Sequence, residues 1–272
     1  MAVVNKHFIL LIPCYNNFKG LLASLKSVHY PFNLFEVLII DDGSFEIINE
    51  KIIHELYPLL LFKIIRLPVN SGIVTALNTG LSVLHARNDY TYIARLDCGD
   101  ICQPDRFTKQ ISFLKKNPNI ALLGSWCSFS NPTIGKSYLY KTKINHHKII
   151  NEMHIKCSFI HPTVMFKKEV MDKVGYYPTN FPHAEDYAFF WDILNYFEGA
   201  IIPENLVTVE MSTGNISSKN FKEQIKSKKA VINAKGSSFW YKLIGLSILN
   251  IKSIMPLKFI EKLKLYFNAL DK

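Results

Sequence analysis

TYIARLDCGD, residues Thr91 to Asp100, is an apolar run that stops abruptly at two acids with a glycine between them. Its β-branched and aromatic content, followed by a turn and a helix-length segment from about Pro104 to Lys116, marks the run Thr91 to Asp97 as a strand that is buried on both faces. Pro104 would occupy the first turn of that helix, where a missing N–H is tolerated.

Working back towards the N-terminus, the same alternation recurs. His7 to Pro13 (HFILLIP), Phe35 to Asp41 (FEVLIID) and Leu60 to Leu67 are short apolar runs, separated by segments suited to helices at Phe18 to Val28 and Phe45 to Tyr57. Ile73, Leu77, Leu81 and Leu84 mark one face of a third helix. Strands without polar alternation, interleaved with helices, predict an α/β fold with a mostly parallel sheet covered on both faces. In such sheets ligands bind beyond the carboxyl ends of the strands. The residues delivered there are Asn16, then Asp41-Asp42-Gly43-Ser44, then Asn70-Ser71-Gly72, and finally Asp97 with Asp100.

Each of these groups has a structural reading: a turn capped by Ser44, a helix start at Asn70 to Gly72, a helix cap at Asp97 or Asp100. Together they read differently, because two acids ending a buried strand need compensation and a divalent metal is a natural partner for clustered carboxylates. Neither GxGxxG after the first strand nor GxxxxGK[ST] is present, so the dinucleotide fold and the P-loop find no support. A nucleotide diphosphate on this rim would need a metal, basic side chains or helix N-termini.

The chain of 272 residues is long enough for one large domain with an appendage. Its net charge of +10 is uneven: residues 216 to 272 carry +9 and residues 1 to 215 carry +1. The basic character therefore belongs to the tail, and a nucleic-acid partner is not expected. Five scattered cysteines without CxxC spacing argue against a disulfide framework and a zinc site, and for a reducing compartment. The N-terminal apolar run lacks a basic leader and a small-residue cleavage site, so it reads as a strand. No run of about 18 uncharged apolar residues suggests a spanning helix.

In residues 7 to 215 the chain resembles the family 2 glycosyltransferases of GT-A fold, most of all the small bacterial enzymes of lipopolysaccharide and capsule assembly. The motifs are Ile12-Pro13-Cys14-Tyr15-Asn16, Asp41-Asp42-Gly43-Ser44, Asn70-x-Gly72-x-x-x-Ala76-x-Asn78-x-Gly80, Ala94-Arg95-Leu96-Asp97, Pro104-x-Arg106-Phe107, His161-Pro162-Thr163 and Glu185-Asp186. The resemblance implies inverting transfer of a sugar from a nucleotide diphosphate sugar, with uridine the expected base. Pro13, Tyr15, Asn16, Asp41, Asp42, Asn70, Gly72, Asn78, Arg95 and Asp97 would form the donor side. Asp97 would open the metal motif for Mn²⁺ or Mg²⁺. Members of the family read Asp-x-Asp-Asp where this chain reads Asp97-Cys98-Gly99-Asp100, so the usual direct ligand is a glycine, and Asp100 is the remaining candidate. That departure also leaves open a non-catalytic sugar-nucleotide-binding or scaffold protein on the same fold.

On the acceptor side, Asn119 to Trp126 and Cys157 to Phe166 read as further strands, the second carrying His161. Ala184 to Phe197 (AEDYAFFWDILNYF) has Tyr187, Phe190, Trp191, Leu194 and Phe197 at helical spacing and predicts an amphipathic helix. Glu185 and Asp186 would then sit in its first turn, where acids also complement the helix dipole. The resemblance makes the Asp of this pair the general base that takes the acceptor's hydroxyl proton, which assigns Asp186, with Glu185 beside it and His161 and Trp191 towards the acceptor. The expected division is residues 1 to 215 as the transferase domain, its nucleotide-sugar half about 1 to 100 and its acceptor half about 101 to 215, followed by a basic helical tail over 216 to 272. That tail interleaves lysines with Phe239, Trp240 and Tyr241. It reads either as helices packed on the domain or as a surface for anionic lipid, which would suit a glycan or lipid-linked acceptor at the inner face of a membrane. Without a Gln-x-x-Arg-Trp stretch or a transmembrane set, addition of a single sugar is expected in place of polymer synthesis.

Overall fold

The computed structural model describes residues 5–131, 135–210 and 220–255. The chain alternates strand and helix through Lys6–Cys14 (β1), Phe18–Lys26 (α1), Phe35–Asp41 (β2), Glu50–Leu56 (α2), Phe62–Arg66 (β3), Ile73–His85 (α3) and Tyr90–Arg95 (β4). β1 lies between β2 and β4 and is parallel to both, with Leu11 opposite Arg95 and Cys14 opposite Asp41. β3 adds in parallel to β2. The unbroken apolar strands are buried on both faces as expected. Ile9 and Leu11 pack under Leu77, Leu81 and Leu84 of α3, while Phe8, Leu10 and Ile12 pack against Leu21 of α1 and against Phe107 and Ile111 of Arg106–Lys116 (α4).

The second half turns the sheet into a mixed one. After the short strand Ile101–Cys102 (β5) and α4 come Ile120–Asn131 (β6), Lys136–Tyr140 (β7), His146–Met153 (α5), Met165–Lys167 (β8), Val170–Val174 (α6), Glu185–Leu194 (α7) and Glu198–Glu210 (β9). The strand order is β3-β2-β1-β4-β8-β6-β9-β5, with β7 paired to β6. β8 is antiparallel to both β4 and β6, and β6 is parallel to β9. β9 was not anticipated, because Pro203 interrupts its apolar pattern. The ladder accommodates it by shifting register where Ser125 faces Ile202 and Trp126 faces Asn205, a bulge that spares the proline a hydrogen bond it cannot donate.

Several expectations need correction. The helix expected from Phe45 begins only at Glu50, where the side chain of Asn49 accepts from Ile52 N; Phe45 stays outside and is 86% exposed. α4 starts at Arg106, two residues beyond Pro104. Cys157 to Phe166 is not one strand: His161–Thr163 forms a 3-10 turn, since Pro162 cannot donate to a ladder, and only Met165 onward pairs. α7 is not amphipathic, because Tyr187, Ala188, Phe189, Phe190, Trp191, Ile193 and Leu194 are all buried. Its helical spacing was right, but it is enclosed between the sheet and the helices that follow.

Those helices are Phe221–Lys235 (α8), packed on α7, and Phe239–Ile254 (α9), packed on α8. Of the expected tail over 216–272, residues 216–219 and those beyond 255 lie outside the described residues. α9 is fastened at His154, the residue after α5. Its ring nitrogen Nε2 accepts from the backbone N–H of Ser237 (3.0 Å) and Ser238 (2.9 Å), and Nδ1 lies 2.8 Å from Ile150 O. Midway along α9, a β-carbon added to Gly245 would come within 1.9 Å of the His154 carbonyl oxygen, so only glycine permits this approach.

Helix propensity alone favours alanine over glycine by about 1 kcal/mol in a helix interior. The clash with backbone should reverse the sign, at a cost of about 1–3 kcal/mol typical of overpacking. Gly245→Ala is therefore expected to lower the thermal midpoint; a rise would show that α9 does not rest on His154.

Candidate active site

The end of β4 is a tight turn held from below. Asp100 N donates to Asp97 O (3.0 Å), and Gly99 takes a φ of +106°, which a side chain at this position would strain. The buried hydroxyl of Ser24 on α1 accepts from Gly99 N (2.9 Å) and donates to Asp100 O (2.9 Å), while Asn17 Nδ2 donates to Cys98 O (3.2 Å). Neither Ser24 nor Asn17 was singled out from sequence. The available signal for Ser24 was a polar residue beside Leu21 and Leu25 on the inner face of α1.

Asp97 faces outward, with 41% of its side chain exposed, and its Oδ1 accepts from Nη2 of the fully buried Arg95 at 2.6 Å. Asp100 points inward. Its Oδ1 accepts from Glu210 N on β9 (3.2 Å), and its carboxyl is pushed up to about 8, first by burial and then by the negative charge of Asp97. Among the described residues no three His, Cys, Asp or Glu side chains gather as a ready-made metal cage.

The rim after β2 is built by its own acids. Asp41 Oδ1 accepts from Ser44 N (2.9 Å) and Oδ2 from Arg66 Nη1 (2.9 Å). Asp42 Oδ1 accepts from Ser71 N (2.8 Å), and Oδ2 from Gly72 N and Asn70 Nδ2, both at 3.0 Å. Asp42 thereby ties the loop before α3 to β2, and Asn70 and Gly72 are partners of Asp42. Asn16, in the left-handed region at φ +50°, accepts at Oδ1 from Phe45 N (2.8 Å). Pro13 is buried within β1, whereas Tyr15 is exposed, its ring 6.3 Å from that of Phe45. Between the loops after β1 and β2 opens a cleft of about 480 Å³, lined by Cys14, Asn16, Asn17, Ser44 and Phe45 among others.

Opposite Asp97 stands the start of α7. Glu185 is buried with Oε2 lacking a partner, and its carboxyl is raised to about 7 by burial and then by Asp186. Asp186 is half-buried, and its Oδ1 accepts from Tyr187 N (2.7 Å). Burial and the neighbouring Arg95 push His161 down to about 4, so its ring is neutral at pH 7. Its Nε2 faces Arg95 Nε (3.4 Å), which can only donate, and therefore accepts also from the Tyr177 hydroxyl (2.9 Å). Tyr177 was not foreseen. Its backbone is clasped by Asn78, which donates to Tyr177 O and accepts from Tyr177 N, both at 2.9 Å. Both polar ends of Asn78 are thus engaged inside the protein. Trp191 is buried in the core, edge-on to the ring of His154 at 5.0 Å. The structure therefore brings Asp97, Arg95, His161, Glu185 and Asp186 together, and places Asn78 and Trp191 behind them.

An acid whose folded pKa lies above its unfolded value binds more protons in the folded state, so stability falls as pH rises between the two values. For Asp100 that window runs from about 4 to about 8. Asp100→Asn keeps the acceptor for Glu210 N and removes the charge. In chelator its thermal midpoint should exceed that of the wild type at pH 8, and the gap should narrow towards pH 4. A gap independent of pH would show that the carboxyl does not titrate there.

Comparison with known proteins gives the family. Residues 9–175 match the model of Glycosyl transferase family 2. The chain is 27% identical over 262 residues to the amylovoran biosynthesis glycosyltransferase AmsE of Erwinia amylovora, covering 93% of this chain and 96% of that protein. It is 30% identical over 178 residues to the UDP-Gal:alpha-D-GlcNAc-diphosphoundecaprenol beta-1,3-galactosyltransferase of Escherichia coli, covering 65% of this chain and 63% of that one. Among solved structures, the mannosyltransferase PcManGT from Pyrobaculum calidifontis, in complex with GDP-Man and Mn²⁺, superposes with a TM-score of 0.63 at 16% identity, over 91% of this chain and 69% of that one, a likeness of fold. The mixed sheet with its parallel first half, the acidic rim at its carboxyl edge and the match over 9–175 lead to one conclusion: the chain belongs to glycosyl transferase family 2 and is a glycosyltransferase of GT-A fold.

Proposed function

We propose that the protein transfers a single sugar, with inversion at the anomeric carbon, from a nucleotide diphosphate sugar to a hydroxyl of a glycan or lipid-linked acceptor in cell-surface polysaccharide synthesis. The observation that carries this reading is the convergence of Asp97, at the end of β4, with Glu185 and Asp186 at the start of α7. Asp97 is bonded to Arg95 at 2.6 Å, Arg95 Nε lies 3.4 Å from His161 Nε2, and the His161 ring packs edge-on against Phe190 of α7 at 5.9 Å. A donor-side acid and a candidate base thus share one rim. The relatives support a UDP-sugar and a lipid-diphosphate acceptor, since one is named for both, and a surface polysaccharide, since another is named for amylovoran biosynthesis.

In this reading Tyr15, Asn16 and the cleft beside Phe45 take the base and ribose, with Asp41 and Asp42 shaping the loops that face them. Asp97, with Asp100 behind it, would hold Mn²⁺ or Mg²⁺. The residues fit such an ion: these cations need only one or two protein carboxylates when a diphosphate fills other positions, and burial with the charge of Asp97 raises Asp100 despite Arg106 and Arg95, so a cation beside the pair would relieve it. When bound, the ion supplies positive charge to the leaving diphosphate. Arg95 keeps the Asp97 carboxylate directed at the rim. Asp186 accepts the proton of the acceptor hydroxyl as its oxygen attacks the anomeric carbon. Glu185, with an unpartnered buried oxygen and a carboxyl raised to about 7, is about half protonated at neutral pH and so limits negative charge beside the base.

The transferase domain is assigned to residues 1–215 and the basic tail to 216–272, with the enzyme acting at the inner face of a membrane. α9 supports this, because Phe239 (70% exposed), Trp240 (71%), Leu243, Ile244, Ile251 and Ile254 leave apolar surface uncovered beside lysines. Trp and Tyr suit the headgroup zone, and each lysine near anionic lipid contributes about 1 kcal/mol. No helix among the described residues is long and apolar enough to span a bilayer.

Asp186→Asn should lower turnover by about 10² to 10⁴-fold, the usual worth of a positioned general base. UDP binding by calorimetry should change little. Retained turnover, or a product of retained anomeric configuration by NMR, would overturn the assignment. For the tail, the full chain is expected to sediment with phosphatidylglycerol vesicles at low salt. Removal of residues 237–272, and equally Phe239→Ser with Trp240→Ser in the full chain, should leave most of the protein in the supernatant. Undiminished co-sedimentation of both variants would refute the membrane face.

A further inference from the structure

Two thiols meet where β1 ends and the acidic turn begins. Cys14 closes β1 and Cys98 lies between Asp97 and Gly99; their Sγ atoms are 3.5 Å apart. Both are free, and Cys98 Sγ also lies 3.1 Å from the carbonyl of Asn17. The two positions are far apart in sequence and are brought together because β1 and β4 are parallel neighbours whose carboxyl ends share one edge. Cys14 is buried against the strands but lines the cleft of about 480 Å³ beside the acidic turn, and Cys98 is half-exposed. A small molecule entering the cleft can therefore reach the pair.

We propose that Cys14 and Cys98 form an oxidisable dithiol, a modification site that locks the Asp97–Asp100 turn when converted to a disulfide. The oxidant is a low-molecular-weight disulfide. One sulfur of the pair attacks it, forming a mixed disulfide and releasing one small thiol. The other then attacks that sulfur, forming the protein disulfide and releasing the second small thiol. Two S–H bonds are lost from the protein, one S–S bond forms between Cys14 and Cys98, and the two electrons and two protons leave as two small thiols.

The consequence follows from distance. A disulfide holds its sulfurs about 2.05 Å apart, so the pair must close by about 1.5 Å. Cys14 belongs to a strand paired on both sides, whereas Cys98 sits in a turn, so closing the sulfurs must strain the bonds that hold that turn to Asn17 and Ser24 and Asp97 to Arg95. The turn is the part that yields, and Asp97 moves with it. Displacement of a site group by about 1 Å can cost on the order of 10²-fold in rate. The effect on turnover rests on the donor reading of this rim; formation of the cross-link does not.

The test exposes the full-length protein to oxidised glutathione and then to dithiothreitol. Intact mass should fall by two hydrogens, and a non-reducing peptide map should join the peptides carrying Cys14 and Cys98. Turnover and UDP affinity measured with Mn²⁺ should each fall at least about tenfold and recover on reduction. Cys14→Ser and Cys98→Ser, each with its own reduced form as control, should instead show no cross-link, and the thiol that attacks first should retain glutathione when its partner is serine. A stable glutathione adduct on wild-type Cys98, or a cross-link involving any other cysteine, would overturn the site. A Cys14–Cys98 cross-link that leaves both UDP affinity and turnover unchanged would overturn the lock. If no donor is turned over in either redox state, the cross-link and the change in UDP affinity still decide the proposal, and the failure falls on the enzymatic reading alone.

Discussion

A guanidinium with no solvent exposure sits at the carboxyl edge of the sheet, and the site depends on how it is satisfied. Arg95 ends β4 and directs Nη1 to Leu11 O on the neighbouring strand (2.7 Å), Nη2 to Asp97, and Nε to the neutral ring of His161. A buried cation left without partners is costly, so each contact constrains the element that supplies it. β1, the acidic turn and the 3-10 turn at His161 are thus held in one geometry. A second buried guanidinium, Arg106, donates through Nη2 to Arg95 O (2.7 Å) and through Nε to Gln110 (3.1 Å), while Gln110 donates to Thr163 O (2.8 Å). Two buried cations therefore stand behind the outward Asp97 and the inward Asp100.

This arrangement joins the two halves of the fold at the place where chemistry is proposed. The parallel half, β3-β2-β1-β4, brings acidic loops to one edge by topology alone. The antiparallel strand β8 then closes against β4 and carries the turn with His161 directly before it. Tyr177, held at its backbone by Asn78 of α3, donates its hydroxyl to His161 from the other side. A shift at α7 would be felt at Asp97 through Tyr177, His161 and Arg95, each in van der Waals or hydrogen-bond contact with the next.

Position, more than residue type, separates the acids of the rim. Asp41 and Asp42 have their oxygens engaged by backbone N–H groups, Arg66 and Asn70, and so maintain loop shape. Asp97 keeps one oxygen on Arg95 and exposes the rest. Asp100 faces β9 and is raised by its neighbour's charge, while Glu185 is raised by burial beside Asp186. Five acids, all candidate site residues from sequence, thus occupy different environments, because Asp97 alone is exposed and the four buried ones meet different partners.

The sequence by itself determined the first four strands, three of the helices between them and the edge at which their polar residues collect, because unbroken apolar runs and helical spacing are local signals. It also determined the family, through motifs in a fixed order. It did not disclose β9, whose proline hides the pattern, nor the enclosure of α7, whose burial depends on α8 laid over it. Only the tertiary structure decided which acids face outward, that Asn78 and Trp191 serve the interior, that Ser24 and Tyr177 support the site, and that Cys14 and Cys98 touch. Those outcomes depend on contacts between residues distant in the chain, and such contacts exist only once parallel strands align their carboxyl ends.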